Sequence, residues 1–466
     1  MRFRIAALLA MPAAAQLFDS NNPEVHAAIE DHFKYGSIGA EDRAGVPLWI
    51  WKVLPDVFPQ HLPSRPGNGY EKFGLIVEPG KSRPIGTSMR ERRIPFVGLN
   101  CAVCHTGTIR DSPDGPRRIV MGMPAHQFDL QTYQRFLFAC IRDPGFTPDR
   151  LLPAIEKANP NFSLIDKVAY RFAVIPQTRD QGIELARTFS WTFARPPTGP
   201  GRVDTFNPYK VLFGFDIEKD SSIGTADLPP LFDQKSREGL WLHWDGNNDS
   251  VSERNKSAAI GAGASERSLD IPAMKRVEDW IWTLPPPAFP AAKIDSARAA
   301  AGKPLYDRLC ADCHASGGKR TGQTEPLENI GTDPERVNSF TAALTEKMNT
   351  LGSGRPWKFT HFRKTNGYAN MPLSGVWLRA PYLHNGSVPT LRDLLEKPEN
   401  RPRKFHRGHD VYDYAAVGFV SSGADAEREG FLVDTGRRGN GNQGHVYGTD
   451  LKAAEKAALL EYLKTL

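Results

Sequence analysis

The spacing of apolar residues predicts α-helices over much of the chain. In residues 127–141 the apolar side chains recur every three or four positions, which places them on one face of a helix. The same spacing marks several other segments: 23–33, 151–158, 162–169, 182–193, 270–284, 295–310 and 451–466. The pattern therefore predicts a mainly α fold.

Two long segments lack this period and predict irregular loops. Residues 199–248 are rich in glycine, proline and aromatic residues, and residues 397–444 are rich in charged residues. Irregular segments of this length tend to carry function in compact domains. Residues 199–248 are therefore interpreted either as the walls of a ligand site or as aromatic core beneath loops.

The proline-rich segment 285–290 predicts a domain boundary. Its prolines end the helix predicted over 270–284 and make a stiff connection. The predicted organisation is an N-terminal domain with insertions over residues 16–284, a linker over 285–290 and a C-terminal domain over 291–466.

The first fifteen residues have the pattern of an export signal. A basic start is followed by an apolar run that ends in Ala13-Ala14-Ala15. This run is too short to span a bilayer, and no other stretch is long and apolar enough to do so. We therefore expect residues 1–15 to be a signal peptide and the protein to be periplasmic or secreted, without stable membrane insertion.

The net charge and the cysteine content indicate which partners and which cross-links the protein lacks. The chain has 466 residues and a formal net charge of +6, with its basic residues scattered rather than clustered. Such a mild, dispersed surplus predicts no binding to nucleic acid. Five cysteines in a chain of this length are too sparse for a disulfide framework.

Four of the five cysteines lie in two copies of the motif Cys-x-x-Cys-His. The copies are Cys101, Cys104 and His105, and Cys310, Cys313 and His314. In this spacing, two thiols one helical turn apart can attach to one porphyrin while the next histidine binds its iron, so the motif is the attachment signature of c-type haem.

Two other interpretations of the Cys-x-x-Cys motifs have less support from the sequence. A structural zinc site needs four nearby ligands, and neither copy has a second cysteine or histidine pair beside it. A redox-active pair needs a βαβ context and no following histidine. The sequence therefore predicts two covalently bound haem c groups. The fifth cysteine, Cys140, lies on the apolar face of the helix predicted over 127–141. It is therefore predicted to be a small buried apolar residue rather than a reactive thiol.

The C-terminal domain resembles the class I cytochrome c fold. A helix from Asp295 leads into Cys310, with Gly302, Tyr306 and Cys310 at four-residue spacing. A glycine on this face permits a close crossing with the last helix.

A wider resemblance rests on three segments. Residues 379–391, which read Arg-Ala-Pro-Tyr-Leu-His-Asn-Gly-Ser-Val-Pro-Thr-Leu, resemble the dihaem cytochrome c peroxidase superfamily. Together with residues 98–107 and 444–451, they look most like the branch around bacterial rubber oxygenases. The resemblance implies two cytochrome c-like haem domains with long irregular loops.

The resemblance also implies a division of labour between the haems. His105 is the implied proximal ligand of the first iron, and this iron binds peroxide or O2. His314 is the implied proximal ligand of the second iron, and this iron transfers electrons. For the sixth ligand of the second iron we prefer His445, with Met371 as the alternative. The implied electron donor is a small redox protein or a quinol-linked donor.

Two residues of segment 379–391 receive supporting roles from the resemblance. His384 is expected to be a structural residue close to the haems rather than a ligand. Arg379 is expected to hold a haem propionate or a backbone carbonyl, because guanidinium groups pair well with carboxylates.

Three functions fit these features. The first is a peroxidase-like oxidoreductase, for which His243 is the candidate distal acid or base and Trp244 its neighbour in the site. The second is a haem dioxygenase that cleaves an apolar alkene or polyisoprenoid-like substrate. The third is a non-enzymatic electron-transfer cytochrome.

Overall fold

The fold is helix-rich, with short strands. A computed structural model describes residues 23–90 and 92–466, so the predicted signal peptide at 1–15 lies outside the described residues. The chain is 42% helical and 11% strand. The expectation of a mainly α fold is supported in its coarser form, a mixed but helix-rich fold. The irregular loops also contain short strand pairs, which the apolar spacing does not predict.

The helices before the proline-rich segment are mostly short. They are α1 Pro23–Tyr35, α2 Glu41–Ala44, α3 Leu48–Val57, α4 Cys101–Cys104, α5 Leu130–Arg142, α6 Pro148–Ala158, α7 Leu164–Ala169, α8 Ile175–Thr188, α9 Asn207–Leu212, α10 Val251–Gly261 and α11 Ile271–Trp282.

Eight α-helices follow the proline-rich segment in the described residues. They are α12 Ser296–Leu309, α13 Ala311–His314, α14 Leu327–Ile330, α15 Glu335–Ser339, α16 Ala342–Met348, α17 Leu391–Leu394, α18 Ala424–Glu429 and α19 Ala453–Leu463.

The strands are two to four residues long and pair antiparallel. They are β1 Val46–Pro47, β2 Thr87–Arg90, β3 Phe96–Leu99, β4 Thr106–Ile109, β5 Arg118–Met121, β6 Arg202–Asp204, β7 Thr225–Asp227, β8 Thr324–Pro326, β9 Gly367–Ala369, β10 Lys404–Arg407, β11 Tyr412–Asp413, β12 Gly418–Phe419 and β13 Phe431–Asp434. One sheet has the order β1-β3-β2, and the other strands form pairs, namely β4 with β5, β6 with β7, β8 with β9, β10 with β13 and β11 with β12.

Local sequence explains where the longer helices begin. The Asp129 carboxylate accepts a hydrogen bond from the Thr132 N–H at 3.0 Å at the start of α5. Asp295 caps α12 in the same way, through the Arg298 N–H at 3.0 Å. An aspartate in this position satisfies a backbone donor that the first helical turn leaves unpaired.

The core of the first half is built on α3 and α5. The aromatic helix α3 packs against α5, and the indole of Trp51 donates a hydrogen bond to the Tyr133 hydroxyl at 2.9 Å. Cys140 is fully buried in this core, as predicted, and burial raises the pKa of its thiol. It is therefore a core residue rather than a reactive thiol.

The second half is closed by the crossing of α12 and α19. A Cβ added at Gly302 would lie 2.0 Å from the Ala458 carbonyl oxygen, so the two helix backbones are in direct contact there. The entry helix and the last helix thus cross at the glycine that the sequence singles out, as the resemblance to class I cytochromes c implies.

The two halves share apolar clusters. Ile109 and Met123 belong to the same buried cluster as Trp377 and Tyr412. The proline-rich segment also contacts the second half, since the Trp377 indole donates a hydrogen bond to the Pro287 carbonyl at 2.9 Å. The division at 285–290 stays a prediction, and packing crosses it.

Within the described residues, the search for membrane spans finds no helix with the length and apolar character to cross a bilayer.

Candidate haem-binding sites at the two Cys-x-x-Cys-His motifs

The first motif occupies a single helical turn. Helix α4 begins after Asn100, whose side chain accepts a hydrogen bond from the Ala102 N–H at 3.0 Å. Gly86 packs directly against the turn, because a Cβ at this position would lie 2.3 Å from the Val103 Cα. One turn with fixed ends holds Cys101 and Cys104 at the spacing that two thioether bonds to one porphyrin require.

His105 is held in one tautomer by the backbone. Its Nδ1 lies 2.8 Å from the Pro229 carbonyl oxygen. A carbonyl can only accept a hydrogen bond, so Nδ1 carries the proton and Nε2 keeps its lone pair. Burial lowers the pKa of His105 to about 4, which keeps the ring neutral. A neutral imidazole with a fixed Nδ1–H is the form in which histidine binds a metal through Nε2.

The second motif repeats this arrangement. His314 ends helix α13, and its Nδ1 lies 2.7 Å from the Met371 carbonyl oxygen. Both accepting residues, Pro229 and Met371, are followed by a proline. The two motif histidines thus use the same kind of partner at two unrelated places in the chain, which indicates the same role for both.

This contact bears on the choice between Met371 and His445. The Met371 backbone lies beside the Nδ1 edge of His314, and holding that histidine is the role the geometry gives it. The His445 ring faces the His314 ring at a centroid distance of 6.3 Å, with an interplanar angle of 42°.

The ring centres of His314 and His445, 6.3 Å apart, leave room for one metal ion between the rings. A histidine nitrogen binds a metal ion at about 2.0–2.1 Å, so these two residues would be able to hold one haem iron together. The Nδ1 of His445 is buried without a hydrogen-bond partner among the described residues. Burial lowers the pKa of His445 to about 3, so this ring is also neutral. The geometry favours His445 over Met371.

The loop that presents His445 is fixed by a close glycine contact. A Cβ at Gly444 would lie 2.3 Å from the Gly331 carbonyl carbon, and the His445 N–H donates to the Ile330 carbonyl at 2.8 Å. His445 itself has a φ of 47°, a left-handed conformation that costs a residue with a Cβ about 1–2 kcal/mol.

A buried arginine ties the same loop down. The Arg401 guanidinium donates to the carbonyls of Asn442 at 2.5 Å, Gly444 at 2.8 Å and His445 at 3.2 Å. Sequence reasoning missed Arg401, since nothing near it in the chain points to residues more than forty positions away.

The segment 379–391 supports this loop as well. The Asn385 side-chain amide and the Ser387 hydroxyl both donate to the Gly441 carbonyl, at 3.0 and 2.9 Å. The Asn-Gly-Ser sequence that carries the resemblance therefore holds the chain four residues before His445.

His384 and Arg379 both contact neighbouring loops, and their roles at a haem stay predictions. The His384 ring stacks on Tyr368, and its Nε2 lies 2.9 Å from the Tyr368 hydroxyl. Because that hydroxyl donates to the Asp333 carbonyl, His384 Nε2 is the donor here and is not available to a metal. Arg379 donates to the backbone carbonyls of Pro372 at 2.9 Å and of Ser374, which stabilises the loop after Met371.

His243 and Trp244 lie in a region of polar contacts. The Nδ1 of His243 is 2.5 Å from the Asn247 amide oxygen, and the Trp244 indole donates to the Asp227 carbonyl at 2.8 Å. Burial lowers the pKa of His243 to about 4. No ring contact joins His243 to His105 within the described part of the chain. Their catalytic roles stay predictions.

His105 lacks the facing histidine that His314 has. Among residues 23–90 and 92–466, His445 is opposite His314, whereas no aromatic ring contact involves His105. Of the methionines after the first motif, Met123 is fully buried against Gly107 and has a core position. The two sites therefore differ in the protein groups around their histidines.

The arrangement of possible ligands gives no support for zinc at the motif cysteines. Burial raises the pKa of the Cys101 and Cys310 thiols to about 11. Within the described residues, the group with metal-ligand spacing is His409, Asp410 and Glu429, which contains no cysteine.

Comparison with known proteins agrees with the second site. Residues 367–406 match the family described as RoxA-like, cytochrome c-like. This segment contains Met371, Arg379, His384 and Arg401. The segment is similar to a cytochrome c-like domain, and such a domain implies haem c.

Two relatives come from Sinorhizobium fredii (strain NBRC 101917 / NGR234). Uncharacterized protein y4iJ is 26% identical over an alignment that covers 85% of this chain and 81% of the relative. Uncharacterized protein y4iM is 31% identical, over 51% of this chain and 60% of the relative. The chain thus spans less than two thirds of y4iM. The comparisons suggest a haem cytochrome oxidoreductase.

Proposed function

We propose that the protein is an exported dihaem c-type cytochrome oxidoreductase of the peroxidase-like kind. Cys101 and Cys104 would carry one haem c, and Cys310 and Cys313 the other. The support is the repeated arrangement of motif helix, neutral histidine and backbone carbonyl at both places. Such a haem supplies one-electron chemistry and, where one axial position is open, a place for peroxide or O2 to bind.

The observation that carries the proposal is the unequal surroundings of the two motif histidines. His445 faces His314 at the spacing of a pair of axial ligands. His105 has no facing ring among the described residues. A closed second site suits electron transfer, and an open first site suits binding of the oxidant, as catalytic metal sites keep one position free.

The residues of the second site are suited to moving electrons into the protein. The His314 imidazole is held by the Met371 carbonyl, and the His445 main chain is held by Arg401. Two neutral imidazole donors would favour a lower reduction potential than a histidine and a methionine. The donor we propose is a small redox protein or a quinol-linked protein outside the cytoplasmic membrane.

At the first site, the residue proposed to move a proton is His243. Its Nδ1 is oriented by the Asn247 amide, which leaves Nε2 for a proton on the bound oxidant. Trp244 is fixed beside it by the Asp227 carbonyl and would exclude water from that face.

A second candidate function is favoured by the match to the RoxA-like family. A haem dioxygenase that cleaves an apolar, alkene or polyisoprenoid-like substrate would use the aromatic residues of segment 199–248 as walls for the substrate. Here the same open first site would take O2 instead of peroxide.

Turnover of the purified holoprotein separates these functions. With peroxide and a reduced cytochrome as donor, we expect oxidation of the donor that is lost in a variant with both Cys101 and Cys104 changed to alanine. The matched variant at Cys310 and Cys313 should keep peroxide binding and lose donor oxidation. Oxygen uptake on polyisoprene without peroxide turnover would support the dioxygenase, and inactivity with both substrates would contradict both functions.

A further inference from the structure

A buried arginine without a partner lies between the two motifs. Arg237, at the end of the 3₁₀ turn Gln234–Arg237, is 5% exposed, and its Nε and Nη2 are buried without a hydrogen bond to any described residue. It forms no salt bridge with a described carboxylate. A desolvated cation of this kind is costly unless a counter-charge is present.

Two more arginines extend from Arg237 toward the two sites. Arg254 lies on α10, whose Ala259 belongs to the apolar cluster against which Cys101 packs. Arg379 donates to the Pro372 carbonyl, next to the Met371 carbonyl that contacts His314. The segment that carries Arg237 connects the two sides, because its Pro229 carbonyl contacts His105 and its Asp233 carboxylate accepts a hydrogen bond from Ser374.

The three guanidinium groups lack enough acid around them. Burial lowers the pKa of Arg237 and of Arg254 to about 10, and mutual repulsion adds to this effect at Arg254 and Arg379. Among the described residues, none of these three guanidinium groups forms a salt bridge with a carboxylate. Buried cations without a paired carboxylate indicate a site for a further anion.

The neighbouring Gln234 supports the same conclusion independently. It is fully buried, and both its amide nitrogen and its amide oxygen lack partners among the described residues. The Nε of Arg379 is buried and unpaired as well. Ser374 links these residues, since its hydroxyl donates to the Asp233 carboxylate and its carbonyl accepts from Arg379. Unpaired donors on Gln234, Arg237 and Arg379 suit a ligand with several carboxylate oxygens, since buried polar groups are nearly always paired.

We propose that Arg237, Arg254 and Arg379 form a carboxylate-binding site between the two Cys-x-x-Cys-His segments, and that its ligands are the propionates of the two haems. This inference rests on the proposed function, because two covalent haems bring four propionates. Arg254 serves the first haem, Arg379 serves the second, and Arg237 is shared by both.

The test is spectroelectrochemical titration of the full-length holoprotein and three variants. A cation beside a haem disfavours the oxidised iron, so its removal lowers the reduction potential. R237Q should lower the midpoint potentials of both haems, and R254Q that of the first haem alone. R237K keeps the positive charge, so its two midpoint potentials should be closer to those of the unchanged protein than the potentials of R237Q are. R187Q, at an exposed arginine of α8, is the matched control and should shift neither potential.

The outcomes separate this inference from the proposed function. A preparation without two covalent haems contradicts the proposed function before any variant is compared. Two haems whose potentials are the same in R237Q and R254Q as in R187Q overturn the propionate site and leave the proposed function standing. If R237Q fails to fold, R254Q decides alone, and an unchanged first-haem potential in R254Q overturns the proposal.

Discussion

Single residues distinguish the second motif from the first. His445 adopts a left-handed backbone conformation, faces His314 and has a buried Nδ1 without a partner among the described residues. The backbone conformation and the unpaired nitrogen are unfavourable for a histidine in an ordinary loop. The Gly444 turn and the Arg401 guanidinium nevertheless hold this residue opposite His314, and for this reason we propose it as the second ligand.

Replacement of His445 tests its role as the sixth ligand. H445A should convert the second haem from six-coordinate low-spin to high-spin, because the opposite face loses its donor. H445M should raise the potential of that haem and add a far-red charge-transfer band in the optical spectrum. H406A, on strand β10, is the control and should leave the spectrum unchanged. An H445A spectrum identical to that of H406A would rule out His445 as a ligand.

His126 gives a pH-dependent prediction. It is 1% exposed, stacks on Phe419 and has both ring nitrogens unpaired, and burial lowers its pKa from 6.5 to about 3. Between these values the unfolded chain binds the proton and the folded chain does not. His126 therefore reduces the free energy of unfolding as pH falls below about 6.5.

The variant H126F keeps an aromatic ring stacked at this position but removes the group that binds a proton. At pH 7 it should be as stable or more stable by about 1–3 kcal/mol, because two unpaired polar atoms are removed from the core. Denaturant unfolding between pH about 7 and about 4 should show a smaller loss of stability than in the unchanged protein. An equal loss in both proteins would contradict the assignment.

At the residue scale, the sequence alone predicts the motif cysteines and histidines, His445 and Arg379 as site residues. These lie in short motifs whose spacing or local sequence carries the chemistry. Pro229, Arg401 and Arg237 could not be found in this way. Their roles depend on a backbone carbonyl or on burial, both of which arise only when distant segments pack together.

At the scale of elements, the crossing of α12 and α19 positions the second site. The loop with His445 leads into α19, and α12 leads into Cys310, so both sides of the site depend on how these two helices meet. Gly302 allows the backbones to touch.

Substitution of Gly302 should weaken the whole second site. A Cβ there would be 2.0 Å from the Ala458 carbonyl, so G302V must separate the helices. Overpacking of this kind costs about 1–3 kcal/mol or more of unfolding free energy. A301V places the same valine side chain at the next, exposed position and should cost less than about 1 kcal/mol. Equal thermal stability of the two variants would contradict the close crossing.

Helices were easier to predict than strands. The apolar period locates α5, α6, α11, α12 and α19 to within a few residues, because each buries one continuous stripe. The strands are two to four residues long and pair through backbone contacts. An alternation of apolar and polar residues cannot be recognised over so few positions. For this reason the predicted fold contains no strands.

At the scale of the whole molecule, the halves are joined by more than the predicted linker. Besides the cluster that contains Ile109 and Trp377, Phe206 and Ile260 share a cluster with Phe340. Arg110 also forms a buried ion pair with Asp410 at 2.5 Å. The sequence pattern marks the prolines as a boundary but cannot indicate that apolar faces meet across it.

This packing predicts one cooperative unfolding transition. Calorimetry of the holoprotein should give a single peak, since neither half can unfold without exposing the shared clusters. A variant R110L leaves the Asp410 carboxylate buried without that partner and should lower the transition temperature of the whole protein. Two separate transitions, with only one affected by R110L, would contradict the shared core.

Electron paramagnetic resonance of the oxidised holoprotein, quantified as spins per polypeptide, tests the central claim most directly. The account predicts one low-spin signal from a haem between His314 and His445 and one high-spin signal from a haem on His105, in equal amounts. Two low-spin haems, or a single haem per chain, would contradict it.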